Sequence, residues 1–255
     1  MFTDRIIKIW DNPEIGYQEV HAHQVLTDYL EEQGFKVTRS AYNLSTAFRA
    51  EFSNGEGRAV SFNSEFDALP GLGHACGHNL IATVGVAAAI GVKDALENGS
   101  VQSILYASGN GTNTTVEITP FQDYWDQNPS YQLASTFYQY QMKYLDPADD
   151  PKTANFTVSS PEESRRDGGA SASSDQGNVS WFLPAIQVGF PVGGGAPVHN
   201  AGFRELAGTD FAHESAIQTA KILALTGLEV LQNETYAETM WEEWRAMIEE
   251  VSVSV

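Results

Sequence analysis

The sequence is poor in three things. Over 255 residues it has one cysteine, Cys76, and only 14 lysines and arginines against 33 aspartates and glutamates, a formal net charge of −19. A single cysteine excludes an intrachain disulfide, so nothing here needs an oxidising compartment, and a thiolate ligand would persist best in a reducing one. The chain is therefore expected to be cytoplasmic. The acidic excess repels phosphate backbones and argues against nucleic acid or an anionic membrane as partner. Small molecules and proteins remain. Long apolar runs are also scarce: the longest, around 81–92, is rich in alanine and glycine and too short to span a bilayer. It reads as a buried helix.

What is present has a clear order. Residues 17–33 carry Val20, Leu26, Tyr29 and Leu30 at near-helical spacing with Gly34 as a stop, which predicts an amphipathic helix. FKVTR, STAFRAEF and RAVSFNSEF have strand length, with SNGEG as a turn between the last two, so a hairpin or adjacent strands are expected. The loop DALPGLGHACGHN then leads into a helix over 80–97, with Asn79 as its N-cap. This order suits an α/β layer arrangement. Further on, Val101, Ile104 and Leu105 have helical spacing and NTTVEITP reads as a strand. Leu133, Phe137, Tyr140 and Tyr144 mark a helix, and 145–175 is a polar loop. FLPAIQVGF reads as a short strand, followed by a glycine-rich turn with His199 and helices over 211–232 and 235–250.

His74, Cys76 and His78 sit at alternate positions, and in an extended segment alternate side chains project to one side, so the three can converge. Thiolate and imidazole both suit zinc and related metals, but a catalytic site needs further ligands and an open position. Two other readings stand beside this one. Cys76 can be a small buried residue with His78 packed beside the helix. Alternatively, Cys76 can be a nucleophile with His199 as its base. GFPVGGGAP lacks the Lys-Ser/Thr pair and the following helix of a phosphate-cradling loop, and reads as a turn presenting His199. His213 belongs to the first turn of its helix, and His21 and His23 to the exposed side of theirs.

The run EFDALPGLGHACGHNLIA resembles the metal loop of the aminoacylase and carboxypeptidase-type zinc metallopeptidases. The likeness is to their amidohydrolase branch in particular, the Xaa-Arg dipeptidase-like and aminobenzoyl-glutamate hydrolase-like proteins. It extends to DNPEIGYQEVHAHQVLTDYLEEQGF, to SSDQGNVSWFLPAIQVGFPV and to GAPVHNAGFRELAGTDFAHESAIQTAKILALT, in the family order. The resemblance implies an α/β fold: a mixed sheet flanked by helices, as an incomplete catalytic domain, with a remnant of a small α+β lid domain. Residues 1–98 and 169–255 would be the two parts of the catalytic domain and 99–168 the lid remnant. It implies Cys76, His78 and His199 as metal ligands and Glu65 and Asp67 as supporting carboxylates. Asp175 and Asn178 fall where the family chain re-enters the catalytic domain and read as structural. The cofactor would be zinc or another divalent metal, at most one ion. The substrate would be an N-acyl amino acid or dipeptide whose amide bond is cleaved, and the chain could pair with itself or a homologue.

The pattern also has a hole. The family's Pro-Ala-Glu-Glu stretch, which supplies the general base and a further ligand, has no counterpart, and neither has its lid histidine. A central block is missing between about Asn98 and Val101. Glu162 and Glu163 form a pair, but they come after the lid-like segment and do not match the catalytic pair by chain order. The alternative reading is therefore an inactive shortened relative that binds metal or a homologous partner without turnover.

Overall fold

The computed structural model describes residues 2–99, 103–109, 125–145, 160–161 and 174–253. It forms two compact units, one from Met1–Asn113 and Phe190–Gly227, the other from Thr114–Gly189 and Leu228–Val255. The expected strand NTTVEITP, most of the 145–175 loop and the Glu162-Glu163 pair lie outside the described residues.

The first unit is a four-stranded mixed sheet with helices. In chain order it contains α1 (Phe2–Asp11), α2 (Val20–Glu32), β1 (Lys36–Arg39), β2 (Phe48–Ser53), β3 (Ala59–Ser64), α3 (His78–Glu97) and β4 (Ile104–Gly109). The strand order is β1-β2-β4-β3. Ala50 of β2 faces Val37 of β1 and Ala107 of β4, both antiparallel, while β3 and β4 run parallel with Phe62 opposite Ala107. Parallel neighbours need a long crossover, and α3 provides it.

Two expectations are corrected here. Residues 104–109 are a strand, not a helix. They pair with β2 on one side and β3 on the other, with Leu105 and Ala107 buried, whereas the helical spacing of 101, 104 and 105 was too short a run to separate the two periods. And β2 and β3, although joined by SNGEG, are not neighbours, because β4 inserts between them.

α2 buries Ala22, Leu26, Thr27 and Leu30 and leaves Val20 exposed. It stops where expected: Gly34 has φ +84°, its N–H donates to Glu31 O, and the Phe35 N–H reaches back to Leu30 O. That pair of bonds is a Schellman stop, in which glycine supplies the left-handed residue. α3 is the core helix. By length and composition it could cross a membrane, yet Leu80, Val84, Val86, Val92 and Leu96 are buried within the unit. Burial of such side chains is worth about 1.5–3 kcal/mol each. Gly85 lets it approach β3 closely, since a Cβ there would collide with Ser64 Oγ. Late in the chain, α6 (Ala201–Ala207) and α7 (Asp210–Gln232) follow, and Phe62 of β3 packs on Gly227.

The second unit is helical among its described residues: α4 (Tyr131–Tyr144), the short α5 (Gln176–Ser180) and α8 (Glu234–Val253). α4 is capped by Ser130 Oγ, which accepts from Leu133 N, and buries Leu133 and Phe137 as its spacing predicts. The Glu243 carboxylate of α8 accepts from Tyr131 N and Gln132 N at 2.6 and 3.0 Å. FLPAIQVGF is not a strand. Residues 182–190 run as turn and coil without strand pairing, with Phe182 69% and Leu183 43% exposed.

Candidate metal centre

Beyond β3 the chain continues extended through Glu65, Phe66 and Asp67. Phe66 is fully buried and stacks on Phe48, so the two carboxylates on alternate positions face the other way. The chain then pairs with the segment before α2: Ala68 N donates to Glu14 O at 2.7 Å, and the Glu14 carboxylate in turn accepts from His21 N and Ala22 N at the start of α2. From Leu69 onward it coils through Gly71, Gly73 and Gly77, all left-handed, at φ +71°, +69° and +83°. These turns overturn the expected convergence of His74, Cys76 and His78. The segment is not extended, and His74 points into the core, where its Nε2 lies 3.1 Å from Ile9 O. Burial lowers its pKa to about 4.

α3 begins at His78, with Gly77 as the capping residue. Asn79, the expected N-cap, is fully buried and instead donates its Nδ2–H to Ala207 O at 3.0 Å, tying α3 to the end of α6. His78 sits between the two carboxylates, Nδ1 at 2.7 Å from Asp67 Oδ1 and Nε2 at 3.3 Å from Glu65 Oε2. Burial pulls the His78 pKa down, but the Asp67 hydrogen bond and the charges of Asp67 and Glu65 outweigh it and leave it raised. A carboxylate on Nδ1 of a ligand histidine fixes the ring and its tautomer.

Cys76 is half-buried. Burial first, then Asp67 and Glu65, push its thiol up to about 11. A nucleophilic cysteine needs the opposite shift, which disfavours the Cys-His nucleophile reading. His199 arrives from the other part of the unit. Its φ is +66°, its side chain is exposed, and its N–H donates to Ala75 O at 2.8 Å. The glycine-rich turn thus docks the His199 backbone on the residue before Cys76. A helix does follow this turn, contrary to expectation, but α6 has seven residues and its N-terminus is closed by Asn200 Oδ1 accepting from Phe203 N.

The structure therefore brings Glu65 and Asp67 onto His78 beyond the end of β3, with Cys76 two residues earlier in the turn, and attaches the His199 backbone to the same turn. Among the described residues no group of three or more His, Cys, Asp or Glu side chains is gathered as a ready metal site. His213 is buried, its pKa lowered by burial, and His21 and His23 are half-buried rather than exposed, His23 against the Phe48 ring. Asn178 Oδ1 accepts from Trp125 N at 3.1 Å.

Sequence reasoning assigned nothing to Glu19. It is fully buried, accepts from Tyr17 N and from Thr46 Oγ1 at 2.6 Å, and is held above the usual carboxylate range by burial. The one available signal was its place directly ahead of the amphipathic α2, at the end of NPEIGYQE.

No protein-family model matches the chain. Among curated proteins, the Xaa-Arg dipeptidase of Homo sapiens is 52% identical over 101 residues, covering 35% of this chain and 23% of that protein. One subunit of the p-aminobenzoyl-glutamate hydrolase of Escherichia coli (strain K12) is 39% identical over 113 residues, 38% of this chain and 23% of that protein. The chain thus spans under a quarter of the length of these relatives. A solved dinuclear metal-binding peptidase of the M20 family from Bacillus subtilis aligns with a TM-score of 0.36 at 22% identity, covering 42% of this chain and 34% of that one. At that overlap, the relationship rests on the sequence matches.

Proposed function

We propose that this chain, a relative of Xaa-Arg dipeptidases and of one component of an aminobenzoyl-glutamate hydrolase over 35–38% of its length, carries the metal-binding corner of an amide hydrolase. Its substrate would be an N-acyl amino acid or a dipeptide. Cys76, His78 and His199 would hold one divalent ion, zinc or another. The observation that carries this reading is the hydrogen bond from His199 N to Ala75 O, which ties the third expected ligand to the turn bearing the other two. The donor types suit the group: His78 is braced on Nδ1 by Asp67 with Glu65 at its other nitrogen, and a half-buried thiol lies two residues before it in the same turn, although among the described residues these side chains are not gathered into a ready site. When bound, such an ion would supply Lewis acidity at an amide carbonyl. Asp67 would orient His78, and Glu65 would add negative charge beside it.

One observation favours the second reading, a shortened relative that binds metal or a homologous partner without turnover. The carboxylates at the site, Glu65 and Asp67, are both engaged with His78, and the family's base-bearing stretch has no counterpart. A general base contributes about 10²–10⁴-fold, so turnover without one would be slow. In both readings residues 1–98 and 169–255 derive from a catalytic domain and 99–168 from a lid, with β4 taken into the sheet. Both readings also suit a cytoplasmic location, where the Cys76 thiol stays reduced.

The test is to load the purified chain with zinc, cobalt or manganese and assay it on a panel of N-acyl amino acids and dipeptides. Hydrolysis abolished by Cys76→Ala supports the enzyme. Stoichiometric metal that Cys76→Ala removes, in a folded but inactive protein, supports the second reading. A folded protein with neither property refutes both.

A further inference from the structure

We infer that His74 is a positioning residue for the turn that carries Cys76, a part no ligand role covers. This rests on the reading of Cys76, His78 and His199 as metal ligands. The His74 ring is 1% exposed and ranks among the largest fully buried side chains. Its Nε2 is 3.1 Å from Ile9 O, and a carbonyl can only accept, so Nε2 carries the proton and Nδ1 does not. Ile9 lies in the last turn of α1, and its carbonyl accepts from Asn12 N at 3.2 Å as well as from His74. Nδ1 is buried without a partner. Leucine would fill this volume without the cost of burying an imidazole, so the polar ring is explained by the bond it makes rather than by packing.

The bond matters because of what surrounds it. Gly71, Gly73 and Gly77 give the turn a left-handed path that glycine adopts freely and does not itself stiffen. Ala68 N to Glu14 O holds the start of the turn, and His199 N to Ala75 O holds its far side. His74 supplies a side-chain link from the middle of the turn to α1, two residues before Cys76. With that link cut, the turn can fill its space in other ways, and the Cys76 sulfur and the Ala75 carbonyl that seats His199 lose their fixed relation.

The experiment titrates the full chain with cobalt(II), following the thiolate-to-cobalt absorption band, and measures apo-protein unfolding by denaturant on the same samples. His74→Leu removes the donor, and His74→Gln keeps an N–H at the Nε2 position. His74→Gln is expected to bind within a few-fold of the parent, while His74→Leu loses at least about tenfold in affinity and band intensity in its folded population. A merely structural role would lower the unfolding midpoint and leave the affinity of the folded protein unchanged, which overturns the inference and leaves the metal reading intact. If His74→Leu does not fold, His74→Asn, whose donor sits at the Nδ1 position, decides by the same criterion. A folded parent chain without a band that depends on Cys76 refutes the metal reading, and this inference with it.

Discussion

The sheet unit and the helical unit use polar side chains in different ways. In the sheet unit the buried core is apolar, with Phe48, Phe66, Leu80, Val92, Leu105 and Ala107 among its members, and the polar groups Glu14, Glu19, Asp67, His74 and Asn79 bond helix-end backbone or a neighbouring side chain. In the helical unit polar groups join the helices themselves. Glu243 caps α4, Tyr236 donates to Thr136 Oγ1 at 2.9 Å, Tyr140 donates to Glu229 Oε2 at 2.9 Å, and Trp244 Nε1 donates to Ser180 O. Its aromatic Trp125 and Phe182 stack while 45% and 69% exposed. A site needs side chains held on backbone that cannot move, and the first arrangement provides that. The second is a set of separate links, each removable at modest cost.

The largest blow to this contrast should come from the core of the sheet unit. Leu105→Ala empties a fully buried position on the strand between β2 and β3 and should cost about 2–5 kcal/mol in denaturant unfolding. A cost under 1 kcal/mol would mean that β4 is not central to the unit. The next effect is acidic in sign. Burial lowers the His213 pKa from its usual 6.5, outweighing the charge of Asp210, so the folded state prefers the neutral ring. That contribution is complete above 6.5 and is lost as pH falls from there toward the depressed value, because the unfolded chain then binds the extra proton. The stability lost between about pH 7.5 and pH 5 should therefore be smaller in His213→Gln than in the parent.

Where the sequence was legible, one local rule sufficed. Gly34 ends α2 because a left-handed residue is needed there, and Leu133 and Phe137 are buried on α4 because they share a face. Glu65 and Asp67 meet His78 because strand alternation puts them on one side of buried Phe66. The misses share a different cause. The neighbours of β2 are set by a strand from beyond α3, which no turn residue announces. His74 was placed with Cys76 by assuming an extended chain, and three left-handed glycines turn it inward. Asn79 has the chemistry of an N-cap, yet its amide serves Ala207 O, a bond between distant segments.

In the helical unit a single link should give way at smaller cost. Glu243→Ala removes an acceptor from the start of α4 while the Ser130 cap stays, and should cost about 1 kcal/mol, with Glu243→Gln costing less, because the carboxylate bonds two backbone N–H groups and faces the positive end of the helix. Circular dichroism during denaturation would follow it. A cost of 3 kcal/mol or more, approaching that of Leu105→Ala, would erase the distinction between the two units.

The smallest effect should come from charge on the sheet unit's surface. Arg39 of β1 reaches Asp28 and Glu31 of α2 at 2.7 and 2.8 Å, with the three side chains 35%, 46% and 48% exposed. At such exposure solvent screens the attraction, and ordering three long side chains offsets much of the gain, so Arg39→Ala should cost under about 1 kcal/mol and less as salt rises. Leu26 and Leu30, on the same helix and fully buried, should each cost more on truncation to alanine. If thermal denaturation instead ranked Arg39 above either leucine, α2 would be held to the sheet by charge rather than by its apolar face. The end of the sheet that carries Asp67 and His78 would then be sensitive to ionic strength as well.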